Sequence, residues 1–172
     1  MFGNMSYTEA MTTYVALLRG IMPTNPNMRG EKLRGVFESL GFINVMTVIA
    51  SGNVIFDTPS KNIEALETKI EKALNAQLGF SSTAMVRSKE QLERLVKQNP
   101  FNGIKDEKPN YLVVTFFKDN KKEMCTVIDL NSNTGTDFMR AIEKTHGKAL
   151  TSRTWKTIGR ILAKMELPHT HS

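Results

Sequence analysis

Two apolar runs, INVMTVIA (43–50) and VIFD (54–57), are separated by little more than the pair Gly52-Asn53. That pair readily supplies the positive backbone angles of a tight turn, so the two runs are expected to pair as an antiparallel hairpin. What flanks the hairpin narrows the fold further. Upstream, TTYVALL (12–18) is rich in strand formers, and Leu33, Val36, Phe37 and Leu40 then recur at helical spacing before Gly41. Downstream, Ile63, Leu66, Ile70, Leu74 and Leu78 keep helical spacing between Ser60 and Gly79, and STAMVR (82–87) reads as a strand. The order strand, helix, strand, strand, helix, strand is that of the ferredoxin-like plait, the split βαβ unit.

The second half reads similarly. Ser88 and Gln91 form a capping box, and the helix they begin ends at Asn99-Pro100. YLVVTFF (111–117) and MCTVIDL (124–130) are strands. TDFMRAIEKTHG (136–147) is a helix begun by Thr136 or Asp137, ALTS (149–152) is a short strand, and a last helix runs from Thr154 to about Glu166. RSKEQLERL (87–95) aligns without gaps on RTWKTIGRI (153–161), each at a strand-to-helix junction, which suggests a duplication. The expected fold is α+β, with two ferredoxin-like subdomains over 12–87 and 88–167. A poorly patterned extension (1–11) and a tail (168–172) flank them. In TTYVALL and YLVVTFF both alternating sets of residues are apolar, so the faces that helices leave open should close on each other or in an oligomer.

A chain of 172 residues with 40% hydrophobic and 23% charged residues has the composition of a globular protein with a packed core. Cys125 is the single cysteine, which excludes an internal disulfide and favours a reducing, cytoplasmic setting. No apolar run is long enough to span a bilayer, and MFGNMSYTEA lacks the basic and apolar regions of a secretory leader. The net charge of +6 is concentrated late: Lys144 to Lys164 carries six basic residues and no acid. Such asymmetry points to an anionic partner.

In plait topology the exits of the first two strands, the hairpin turn and the start of the first helix share one sheet edge. Arg19, Asn25, Ser51 and Asn53 are therefore expected to converge on a small anionic or phosphorylated ligand, bound by a guanidinium fork, amides and free helix N–H groups. Arg87 falls elsewhere: it is read as an arginine bonding across the contact between subdomains, where it could meet Arg153 or the loop near Asn99, and it is counted with the second basic site below. The last helix places Lys156, Arg160 and Lys164 at i, i+4, i+8, with Arg153 and Trp155 beside them. This second basic site could track a phosphate backbone, making a nucleic-acid-binding module the alternative reading. The third strand offers only Phe56 as an aromatic, which disfavours an RNA-recognition domain.

Catalytic constellations are missing. His146, His169 and His171 show no metal spacing with Cys125 or paired acids, and there is no phosphate loop, dinucleotide fingerprint or nucleophile elbow. Cys125, inside a strand, reads as a small apolar filler. No cofactor is indicated. An enzyme acting on a phosphorylated or carboxylated substrate, with arginines stabilising charge, is the third reading.

YVALLRGI, GEKLRGVFESLGF, VIASGNVIF, VRSKEQLERLV, NPF and RTWKTIGRILAK, in this order, resemble the uncharacterised family known as domain of unknown function 1697. The resemblance implies paired ferredoxin-like plaits and carries no established activity. Its recurrent polar positions match Arg19, Gly20, Ser51, Gly52, Asn53, Arg87, Asn99, Arg153 and Trp155. Many members continue LRG with INVGG, where this chain has IMPTNPN, so the site near Arg19 is expected to differ in shape.

Overall fold

The computed structural model describes residues 10–50, 52–119 and 121–167. The element order is β1 (Thr12–Leu18), α1 (Gly30–Ser39), β2 (Ile43–Thr47), β3 (Asn53–Thr58), α2 (Ile63–Leu78), β4 (Ala84–Ser88), α3 (Lys89–Lys97), β5 (Asn110–Phe117), β6 (Glu123–Asp129), α4 (Thr134–His146), β7 (Leu150–Thr154) and α5 (Trp155–Met165). The first sheet is fully antiparallel in the order β2-β3-β1-β4 expected of a plait, and the second has the order β6-β5-β7. The fold is thus α+β, with two antiparallel sheets compatible with two ferredoxin-like subdomains.

Strand alternation divides the core in two. Tyr14, Ala16 and Leu18 face α1 and α2 together with Val54, Phe56, Val86, Phe37, Ile70 and Leu74. Val15 and Leu17 face the other way, with Ile55 and Met85, onto Leu92 of α3, Ile158 and Ile161 of α5, and Leu112, Val114 and Phe116 of the second sheet. The doubly apolar strands are explained: their second faces close on each other within one chain. Helix α4 covers the far side of the second sheet and contains no buried residue.

Two details depart from the sequence reading. The hairpin loop is longer than the pair Gly52-Asn53, because the Val48 N–H donates to the Asn53 carbonyl at 2.9 Å and closes a loop over 49–52. Positive φ falls at Ile49 (57°) and Gly52 (84°), while Asn53 already belongs to β3 and is 1% exposed. Its side-chain Nδ2 donates to Val48 O at 2.9 Å, so the asparagine brackets the loop from inside. Helix α2 is capped by Asn62, which accepts from Ala65 N at 3.0 Å, because Ser60 is held earlier by the Tyr14 hydroxyl donating to its carbonyl at 2.7 Å.

Gly52 has no substitute. A Cβ there would lie 2.6 Å from Ile21 Cγ1 and 3.1 Å from Leu18 O. Gly52→Ala is expected to cost more than the roughly 1–2 kcal/mol of a left-handed alanine alone, measured as a lowered urea midpoint; a midpoint equal to wild type would contradict this geometry.

The outer edge of β4 is closed by acids of α2. Ala84 N donates to Glu71 Oε2 at 2.8 Å and Val86 N to Glu67 Oε2 at 2.9 Å. Edge N–H groups that would otherwise invite another strand are satisfied.

Candidate ligand-binding cleft at the junction of the sheets

The two halves hold each other through the arginines that end β4 and β7. Val15 of β1 is opposite Arg87, and Val114 of β5 is opposite Arg153. Arg87 reaches into the β5–β6 hairpin: Nη2 donates to Phe117 O (2.8 Å) and Lys122 O (3.4 Å), and Nε to Glu123 Oε1 (2.9 Å). Arg153 reaches into the corresponding part of the first sheet: Nη2 donates to Leu18 O (2.9 Å) and Gly52 O (3.4 Å), and Nε to Asn53 Oδ1 (2.6 Å). Each Nη1 returns to the carbonyl of the preceding residue, Val86 or Ser152, at 3.0 and 2.9 Å. Apart from a further bond from Arg153 Nη1 to Thr151 Oγ1 (2.7 Å), the bonds match, so Leu18 corresponds to Phe117, Gly52 to Lys122 and Asn53 to Glu123. The local repeat seen in sequence is a duplicated clasp. Corresponding parts are β1 and β5, β3 and β6, β4 and β7, α3 and α5; α1 and β2 have no counterpart in the second sheet.

Among the described residues, Arg19, Asn25 and Asn53 each bond to different partners rather than to a shared point at the hairpin turn. Arg87 is 0% exposed and its donors are occupied. Burial pushes the Arg153 guanidinium down to about 10, still charged at neutral pH. Asn53 is spent on Val48 and Arg153. Asn25 is exposed and caps a short 3-10 turn through Asn27 N at 3.0 Å. Ser51 lies outside the described residues. Alternation carries Arg19 to the side of Val15 and Leu17, away from the start of α1 and Asn25; Asn53, opposite Leu17, shares that side but is taken by Arg153, and Arg19 bonds elsewhere. There Nη1 donates to Leu150 O at 2.9 Å and Nη2 to Glu143 Oε1 at 3.1 Å. Arg87 meets neither Arg153 nor Asn99. A hollow of about 90 Å³ does lie against the start of α1, but Pro23, Met28, Leu33 and Ala50 make it mostly apolar.

The second predicted basic site is split. Arg153 is internal, and Trp155 is half-buried with its ring edge-on to Phe101 at 5.0 Å. Lys156 and Arg160 are exposed and Lys164 is half-buried, on the solvent side of α5. Cys125 is half-buried beside the second core; burial pushes its thiol up and the Glu123 carboxylate adds to this, so the reactive thiolate is disfavoured.

Arg19 instead lines a cleft of about 570 Å³ at the junction, where the exits of β1 and β5 meet α2 and the segments leading into β4 and β7. Arg19 and Lys118 are counterparts: the Arg19 N–H donates to Thr83 O and the Lys118 N–H to Ala149 O, both at 2.9 Å. Their side chains cross in opposite directions, Arg19 to Glu143 of α4 and Lys118 to Glu71 of α2. Lys72 and Lys148 complete the cationic lining, and neither has an acid within ion-pair distance among the described residues. Asn75, Ser81, Ser82 and Thr83 add neutral polar groups. The sequence reading named Arg19, at another edge, and none of Lys72, Lys118 and Lys148, because lysines on helices and loops carry no spacing signal. The correspondence of Arg19 with Lys118 is the one clue, and it needs the strand register.

Among the described residues no group of three His, Cys, Asp or Glu gathers to hold a metal, and no helix is long and apolar enough to cross a membrane.

The model of the family described as "Protein of unknown function (DUF1697)" matches residues 11–145. The chain belongs to this family. The DUF1697 match spans the first sheet and most of the second, including the Arg87 clasp, and ends before Arg153. No curated protein matches the chain. Among solved structures, the conserved bacterial protein SP0830 from Streptococcus pneumoniae is similar, with a TM-score of 0.64 and 19% sequence identity over 91% of this chain and 100% of that one. At that identity the likeness concerns the fold.

Proposed function

We propose that this DUF1697 protein binds a small anionic or phosphorylated ligand in the junction cleft, in a reducing cytoplasmic setting. One observation carries the reading. Four cations, Arg19, Lys72, Lys118 and Lys148, line a single concavity with one carboxylate, Glu71, and that carboxylate is already engaged by Lys118 and Ala84 N. Cations held together in a cleft raise the local concentration of anions, and the volume falls within the range of small-molecule sites. Lys72 and Lys148 need not release a partner to bind. Arg19 and Lys118, fixed by their ion pairs, contribute field and position.

Thermal denaturation in inorganic phosphate, at constant ionic strength against chloride, tests this. At a hundredfold excess over Kd, binding stabilises by about 2.7 kcal/mol, roughly 5–10 °C in a domain of this size. Lys72→Gln/Lys148→Gln is expected to leave the melt in chloride within about 0.5 kcal/mol of wild type and to remove the phosphate response. Equal stabilisation by chloride, or an undiminished response in the variant, contradicts the proposal.

A further inference from the structure

We infer that the ligand of this cleft is a phosphate monoester of a small polyhydroxylated skeleton, a sugar phosphate rather than a nucleotide; this rests on the anion-binding reading above. The cations account for the phosphate. The remaining lining suits hydroxyl groups. Lys72 and Asn75 are three residues apart on α2 and share a face. The Asn75 amide and the Ser81 and Thr83 hydroxyls have no partner among the described residues, and each can both donate and accept. Ser82 Oγ donates to Arg19 O at 2.8 Å and keeps its lone pairs for a donor.

Glu71 favours a ligand that carries O–H donors. Its Oε2 takes Ala84 N and Lys118 Nζ, while Oε1 has no donor among the described residues. A carboxylate oxygen beside the cations is a poor neighbour for an anion without O–H donors, such as a dicarboxylate, yet accepts a bond from a ligand hydroxyl. An anion carrying O–H donors satisfies both neighbours at once. The lining also excludes a class. Among the described residues that border the cleft none is aromatic, and nucleobases are held chiefly by stacking on aromatic faces. The ribose and phosphate of a nucleotide would find partners here, whereas its base would lie in water.

Calorimetric titration of the wild-type protein with inorganic phosphate, ribose 5-phosphate and adenosine 5′-monophosphate, at one ionic strength, tests the inference. Ribose 5-phosphate is expected to bind at least tenfold more tightly than phosphate, and adenosine 5′-monophosphate no more tightly than ribose 5-phosphate. Asn75→Ala/Thr83→Val should remove the tenfold advantage while phosphate affinity stays unchanged, a readout that a misfolded variant would not give. Phosphate binding with no gain from the sugar, a nucleotide that binds best, or an advantage undiminished in the variant overturns this inference alone. Failure of all three probes to bind overturns the anion-binding reading with it.

Discussion

Arg87→Ala is expected to destabilise the protein by about 3–5 kcal/mol, the loss typical when one partner of a buried ion pair is removed. In a chain of this size that corresponds to a fall in Tm of roughly 10 °C, read by calorimetry. The side chain is 0% exposed, and it alone links the end of β4 to two carbonyls and one carboxylate of the β5–β6 hairpin. Arg87→Met keeps much of the buried volume and removes the donors. It should recover only a minor share of the loss, since the Glu123 carboxylate and the Phe117 carbonyl lose their guanidinium donors, which costs more than lost packing here. The matching Arg153→Ala is expected to cost less, because its Nε partner is the neutral amide of Asn53 rather than a carboxylate. A loss below 1 kcal/mol for Arg87→Ala would show that the clasp is incidental to the joining of the two sheets.

Phe56→Ala is the second large effect, at about 3–5 kcal/mol from lost burial and the cavity left behind. Phe56 is 0% exposed, and its ring lies 4.4 Å from that of Phe42, 5.5 Å from Phe37 and 5.6 Å from Tyr14, measured between centroids. These rings come from β1, α1, β3 and the segment before β2, so no single neighbour can move to refill the space. The measurement is the urea midpoint at constant slope. Phosphate should still stabilise the variant, because Phe56 is not among the residues that line the cleft; a loss under 1.5 kcal/mol would mean that the ring cluster is loosely packed.

The fold was legible where a pattern repeats along the chain. Helical spacing located α2 and α5, the capping box at Ser88 and Gln91 located α3, and apolar residues on both faces of β1 announced a second covering layer. The duplication showed as a nine-residue match because each copy must end an edge strand with an arginine and cap the following helix.

The site was less legible, for a geometric reason. The edge of the plait at which Arg19 and Asn53 emerge was identified, but which way each side chain points depends on register. Asn53 looked like a turn residue and is a buried strand residue that accepts from Arg153, 100 positions later. Arg19 looked like a neighbour of the α1 start and turns to the opposite face. Lys72, Lys118 and Lys148 become one group only when α2, the β5 exit and the β7 entry are brought together by the clasps. No local spacing encodes that.

The central claim is that the junction cleft is where an anion binds. A crystal structure of the protein grown in phosphate tests it most directly. The account predicts phosphate density within hydrogen-bond distance of Lys72 or Lys148 and of Arg19. Phosphate bound only on the solvent side of α5, beside Lys156 and Arg160, with the cleft filled by water alone, would contradict it.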